Sequence, residues 1–248
     1  MMDAPAKLNG RTAIVTGATS GIGLAITGAL LAAGSQVLAT GRRVEQLDGL
    51  QATHGERLHV VASDLAAPDS VAPLVAAVPA HWTVDLLVCA AGHDAGGNLP
   101  FGESDVRHMA DKLAVNFTSA ALLIHALLPG FLARGTGDIV TIGSIVTRDA
   151  AAGLSFYGAT KHALHGLMAG LRLDYRATEL RFIELIPAIV RSGFASRRWA
   201  GDEDRAEHFY ANFPGWLEPA DIARAVTWAV SQPHGVNVDE IVLRPTTR

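Results

Sequence analysis

Short, continuous apolar runs alternate with helix-length stretches along almost the whole chain, and this alternation limits the possible folds more than any other feature. Thr12-Ala13-Ile14-Val15-Thr16 reads as a buried strand, followed by a helix over 21–33 that Gly34 closes. A strand over 36–40 precedes a helix over 44–50, and a strand over 58–62 precedes a helix after Pro68. Next come a strand over 85–90, a long helix over 116–133 and a strand over 138–142. A helix over 155–179, a strand over 181–186, a helix over 218–231 and a last strand over 240–243 complete the series. Strands covered by helices on both faces are apolar throughout rather than at every second residue. Repeated strand–helix–strand units with right-handed crossovers then predict an α/β fold built on a doubly wound parallel sheet flanked by helices.

No linker or low-complexity tract divides the 248 residues, so a single domain over 1–248 is expected. The least regular segment, 191–215, is a candidate substrate lid within it. At 49% hydrophobic and 18% charged, the composition argues against disorder. A net charge of -4 offers no long-range attraction to nucleic acid or to an anionic membrane. The start, Met1 to Lys7, lacks the apolar core of a signal peptide. His125, Pro129 and Gly130 interrupt the apolar stretch 120–133, which reads as too short to span a bilayer. Cys89 is the only cysteine, which excludes an intrachain disulfide and a thiolate metal cluster. His162 and His165 are three apart, with no third ligand in a zinc-like spacing, so no metal is expected. These features predict a cytoplasmic protein.

Between the first strand and helix stands Thr16-Gly17-Ala18-Thr19-Ser20-Gly21-Ile22-Gly23. Glycines let backbone approach a pyrophosphate whose charge sits at the positive end of the helix. In this position the loop predicts a Rossmann-like dinucleotide site, although its spacing is G-x-x-x-G-x-G. After the second strand comes Thr40-Gly41-Arg42-Arg43, with no carboxylate to hold the ribose hydroxyls of NAD. Arginine forks a phosphate well, so Arg42 and Arg43 favour NADP over NAD; otherwise they are two solvated arginines at a helix start. Asp64, next to Leu65, either reaches the adenine or caps the following helix.

Ser144 precedes Tyr157-Gly158-Ala159-Thr160-Lys161, which puts phenol and ammonium one helical turn apart on one face. A nearby positive charge favours the ionised phenol, whose free pKa is about 10, and would make it a proton-transfer group. With the glycine loop and Asn116, this pattern resembles the short-chain dehydrogenase/reductase family over nearly the whole chain. The resemblance implies that Tyr157 exchanges a proton with the substrate oxygen and that Ser144 hydrogen-bonds that oxygen. It also implies that Lys161 holds the nicotinamide ribose and lowers the phenol's pKa, and that Asn116 holds a water linking Lys161 to solvent. Ala91-Gly92, Pro187, the Ile189 backbone and Ser192 would flank the cofactor.

The chain departs from the family pattern twice. Cys89-Ala90-Ala91-Gly92 stands where the family has Asn-Asn-Ala-Gly, so support for that backbone must come from elsewhere or be weaker. Ala188 replaces a glycine and would be strained if its φ were positive. The ending is similar to NADP-dependent 3-hydroxy acid dehydrogenases acting on serine or allo-threonine, and to the clavulanic aldehyde reductase branch. His93 and Asp94, Arg148, Leu154, Phe194 and Trp199 are candidates on the substrate side; each is otherwise a loop or packing residue. The expected activity is NADP(H)-dependent hydride transfer to and from a small carbonyl or secondary alcohol, in a homodimer or homotetramer. The alternatives are a nucleotide-sensing binding protein of the same fold and, less well matched in length, an epimerase or dehydratase.

Overall fold

A computed structural model describes residues 8–67 and 69–247. The reading of Met1 to Lys7 lies outside the described residues, as does Pro68 itself, whereas the helix expected after Pro68 is present at Val71–Ala76. Seven parallel strands among these residues form one sheet in the order β3-β2-β1-β4-β5-β6-β7. They are β1 (Thr12–Thr16), β2 (Gln36–Gly41), β3 (Leu58–Ala62), β4 (Leu86–Cys89), β5 (Thr136–Ile142), β6 (Glu179–Pro187) and β7 (Glu240–Leu243). β1, β4 and β2 through its centre are buried, as their apolar runs require.

The chain winds outward from β1 to β3, then returns to start again at β4, beside β1. At this switch point the connections leave in opposite directions and open a crevice at the carboxyl ends of the strands. The register places Thr16 between Thr40 of β2 and Cys89 of β4. One face of the sheet is covered by α1 (Gly21–Ala32) and α9 (Pro219–Val230), which pack on each other through Ile26, Leu30, Ile222 and Val226. α5 (Ser119–Arg134) and α6 (Ser155–Asp174) cover the other, burying Leu123, Phe131, Leu164 and Met168. Near the amino ends of the strands, buried Asp138 accepts from Arg181 Nε at 2.6 Å and pairs with Arg11 at 2.8 Å. α2 (Asp48–His54) and α3 (Val71–Ala76) are the short crossovers on the β3 side.

Three elements differ from expectation. The helix through Asn116 begins ten residues before it: α4 (Val106–Leu113) runs through a π turn, Ala114–Thr118, into α5. The resulting helix, Val106–Arg134, is long and apolar enough to cross a membrane, contrary to the length expected for 120–133. Its inner face nevertheless belongs to the core beside the sheet. The helix after Leu154 ends at Asp174 rather than Glu179, because Glu179 already pairs with Thr136 in the sheet. Segment 191–215 holds two helices, α7 (Phe194–Arg198) and α8 (Glu203–Tyr210), in place of irregular chain. Both ends of this segment are fastened: Leu217 N donates to Ile189 O, and Arg191 N donates to Leu217 O, each at 2.8 Å.

Candidate active site

The crevice at the switch point deepens into a cavity of about 1060 Å³ that reaches from the β1–α1 loop to α7. At one end the glycines act through close approach. A Cβ on Gly23 would lie 2.2 Å from Gly17 O, and one on Gly17 would lie 2.8 Å from Ala91 Cα. Gly17 and Gly21 also have φ values of +64° and +51°, where a side chain is strained. Thr19, Ser20 and Ile22 line the cavity with Gly17 and Gly23, whereas Gly21 faces Ser192, at 3.2 Å from its Cβ position. Arg42, Arg43, Asp64 and Leu65 line the same end. Asp64 Oδ1 also accepts from Ala66 N at 3.1 Å within a turn, and it does not cap the following helix, Val71–Ala76, whose N-cap is Ser70.

The missing asparagines have a replacement. Thr16 Oγ1, at the end of β1, accepts from Ala90 N and Ala91 N, each at 3.1 Å. A hydroxyl from the neighbouring strand thus holds the turn after β4 that leads Gly92 into the cavity wall. Ala188 is unstrained, since the only non-glycine residues with positive φ among those described are Asn98 and Ala200. Thr16→Val should lower stability by about 1–3 kcal/mol, because Ala91 N–H loses its acceptor. Thermal unfolding measures this loss, and an unchanged melting temperature would show that the turn supports itself.

At the other end, Ser144 follows β5 in extended backbone and accepts from Val146 N at 3.4 Å. Tyr157 and Lys161 project from one face of α6 into the same space. The three are 9%, 7% and 4% exposed, so the cavity rather than bulk water surrounds them. Lys161 Nζ donates to Ile142 O at 2.8 Å and lies 5.8 Å from the centre of the Tyr157 ring. Burial pushes Lys161 down to about 8, opposed by buried Glu184. Burial likewise pushes Tyr157 up to about 12, while the neighbouring Ser144 hydroxyl favours the ionised phenol. In this structure desolvation thus outweighs the groups that favour the phenolate.

Asn116 lies in the π turn and is 1% exposed. Its amide accepts from His93 N at 2.9 Å and donates to His93 O at 3.0 Å and Thr160 Oγ1 at 3.1 Å. It thereby ties the turn after β4 to the helix that carries Tyr157 and Lys161. π turns inside helices often mark functional positions, because the extra residue re-aims a side chain.

Gly92, His93, Leu154, Phe194, Pro187, Ile189 and Ser192 also line the cavity. Phe194 meets the Tyr157 ring edge-on at 5.8 Å. Burial lowers the pKa of His93, which favours its neutral form. Two candidates do not face this space. Arg148 is held by Glu240, which also approaches His165 and Arg172, and Trp199 packs on Phe209 at 5.6 Å. Asp94 is neither a solvated loop residue nor a free polar contact. It is 1% exposed and pairs with Lys112 at 3.1 Å and Arg198 at 2.9 Å, both themselves buried. This ion triad, absent from the sequence reading, joins the β4 turn, α4 and α7.

Comparison with known proteins agrees with this geometry. The family described as short chain dehydrogenase matches residues 11–203. The chain belongs to the short-chain dehydrogenase family. Its relatives in the family include the NADP-dependent 3-hydroxy acid dehydrogenase of Escherichia coli (strain K12), 33% identical over 95% of each chain. The serine 3-dehydrogenase of Agrobacterium fabrum is 30% identical over 96% of this chain and 94% of that one. A closed form of serine dehydrogenase complexed with NADP+ superposes with a TM-score of 0.90 at 32% identity, covering 96% of both chains. Membership of the short-chain dehydrogenases agrees with the parallel sheet, the glycine loop at its switch point and the Ser144, Tyr157 and Lys161 group beside them.

Proposed function

We propose that this chain is an NADP-dependent oxidoreductase that exchanges a hydride between nicotinamide and a small carbonyl or secondary alcohol, with Tyr157 as the proton-transfer group. One observation carries the reading: Ser144, Tyr157 and Lys161 share a single cavity with a glycine loop and two arginines suited to a phosphorylated dinucleotide. The cradle fits such a group, since Gly17 and Gly23 leave no room for a Cβ where backbone must approach the phosphates. Gly17 to Gly23 would hold the pyrophosphate, Arg42 and Arg43 the ribose phosphate, and Asp64 and Leu65 the adenine side. Ala91, Gly92, Pro187, Ile189 and Ser192 would border the nicotinamide half. Bound there, the nicotinamide supplies or accepts the hydride, and the protein supplies orientation and the proton.

In reduction, Ser144 would hold the carbonyl oxygen and Tyr157 would donate its proton to that oxygen. In oxidation, Tyr157 would take the alcohol proton, which requires its phenolate form. Because burial holds this phenol up at about 12, the alcohol-oxidising rate should rise with pH between about 7 and 9. Carbonyl reduction should not fall for lack of that proton over the same range. Initial rates in both directions test this, and a flat oxidation profile would contradict it.

The named relatives support small 3-hydroxy acids and their keto forms as the first substrates to try. The purified protein, given NADPH and a panel of such acids and small aldehydes, should consume the cofactor with at least one. Binding without consumption across the panel would favour the sensor instead.

We further take the chain as one nucleotide-binding domain with 191–215 as its substrate lid, supported by the fastened ends of that segment. A homodimer or homotetramer is supported by exposed Leu113, Leu122 and Leu132 along Val106–Arg134, and by Leu173 on α6. A cytoplasmic setting is supported by the NADP-dependent dehydrogenases among its relatives.

A further inference from the structure

Arg197 lies on α7, half-buried, and lines the large cavity together with Arg42 and Arg43 from the end of β2. Among the described residues none of these three guanidiniums pairs with a carboxylate. Arg191, Arg198 and Arg244, which come from the same part of the molecule, all do. Burial lowers the pKa of Arg197, and the charges of Arg43 and Arg42 lower it further; all three side chains line the one cavity. Arg42 also disfavours charge on His93, after burial. A Cβ on Gly193 would lie 3.0 Å from Arg197 Nη1, so the glycine leaves space for the guanidinium to fold back over the base of the segment. Arg42 and Arg43 are exposed and Arg197 is half-buried, so a compact polyanion on this side of the cavity would meet three guanidiniums free to pair with it.

We propose that Arg197 completes, with Arg42 and Arg43, a three-arginine cradle for the phosphate on the adenosine ribose of NADP, so that this phosphate draws segment 191–215 onto the cofactor. The inference rests on the NADP reading and adds to it a residue from the lid rather than from the nucleotide-binding strands. Arg198, one residue later, is held by Asp94 and packs beside Phe194, Trp199 and Phe209. Adjacent arginines on one short helix thus have separate tasks: Arg198 anchors the segment to the β4 turn, and Arg197 reports the phosphate. NADH, without that phosphate, would bind with the segment less firmly closed.

Calorimetric titration of the wild-type protein, Arg197→Gln, Arg197→Lys and Arg42→Gln with NADPH, NADH, 2′,5′-ADP and 5′-AMP tests the proposal. Arg197→Gln should weaken NADPH and 2′,5′-ADP by about ten-fold or more, as expected for loss of a charged hydrogen bond, while leaving NADH and 5′-AMP unchanged. Arg197→Lys, which keeps the charge, should recover part of the loss. Amide exchange over 194–210 should be slowed more by 2′,5′-ADP than by 5′-AMP, and Arg197→Gln should erase that difference. Equal weakening of NADPH and NADH would place Arg197 on the shared pyrophosphate and overturn the proposal, as would no weakening of either. Wild-type protein without preference for NADPH would instead overturn the NADP reading. A preference lost in Arg42→Gln but kept in Arg197→Gln would overturn only the role of the lid.

Discussion

Tyr157→Phe should lower kcat/KM for carbonyl reduction by about 10²–10⁴-fold, the range for losing a positioned general acid. NADPH affinity and melting temperature should stay close to those of the wild type. The ring's edge-on contact with Phe194 survives the substitution, and Ser144 is the polar neighbour identified for the hydroxyl. The size of the effect follows from the state of the phenol: burial keeps it protonated, so it is ready to give a proton to a developing alkoxide without first recruiting one. Steady-state kinetics with calorimetric cofactor binding separate the outcomes. A variant that retains most of its turnover would show that the proton comes from elsewhere. One that also loses NADPH binding would make the hydroxyl a cofactor ligand first.

Asp94→Ala should destabilise the fold by about 3–5 kcal/mol, because it leaves Lys112 and Arg198 as buried cations without their shared carboxylate. Lys112→Met should cost less, since Asp94 and Arg198 remain as a neutral pair. Denaturant unfolding of both variants gives the comparison, and equal losses would argue against the charge argument. The Asp94 substitution should also reach the chemistry. Asp94 disfavours ionisation of Tyr157 and Arg198 favours it, so removing the carboxylate should ease phenolate formation. The alcohol-oxidation profile should then shift to lower pH, which a purely structural role would not produce.

The strands were legible because burial on both faces leaves an uninterrupted apolar run, as in Ala13-Ile14-Val15 and Leu86-Leu87-Val88. Ser144, Tyr157 and Lys161 were legible because helical spacing alone puts the last two on one face. What sequence could not show was how strongly that face is desolvated, and so the phenol lies above its ordinary pKa rather than below it. α4 was missed because Val106 to Leu113 is half polar and buries only Lys112 among its residues. The π turn at Asn116 breaks the 3.6-residue period that would have revealed a continuous helix. Asp94, Lys112 and Arg198 each look solvated alone, and only the fold brings them together. Thr16 did carry a signal, as a hydroxyl at the end of a buried apolar strand, but its acceptor role depends on the parallel register with β4.

The most direct measurement is transfer of deuterium from NADPH labelled at the hydride position of the nicotinamide. Incubated with a small keto acid or aldehyde that supports turnover, the wild-type protein should place the label on the carbinol carbon of the product, and Tyr157→Phe should do so far more slowly. Product without label, or tight NADPH binding with no labelled product from any carbonyl offered, would contradict hydride transfer at this site.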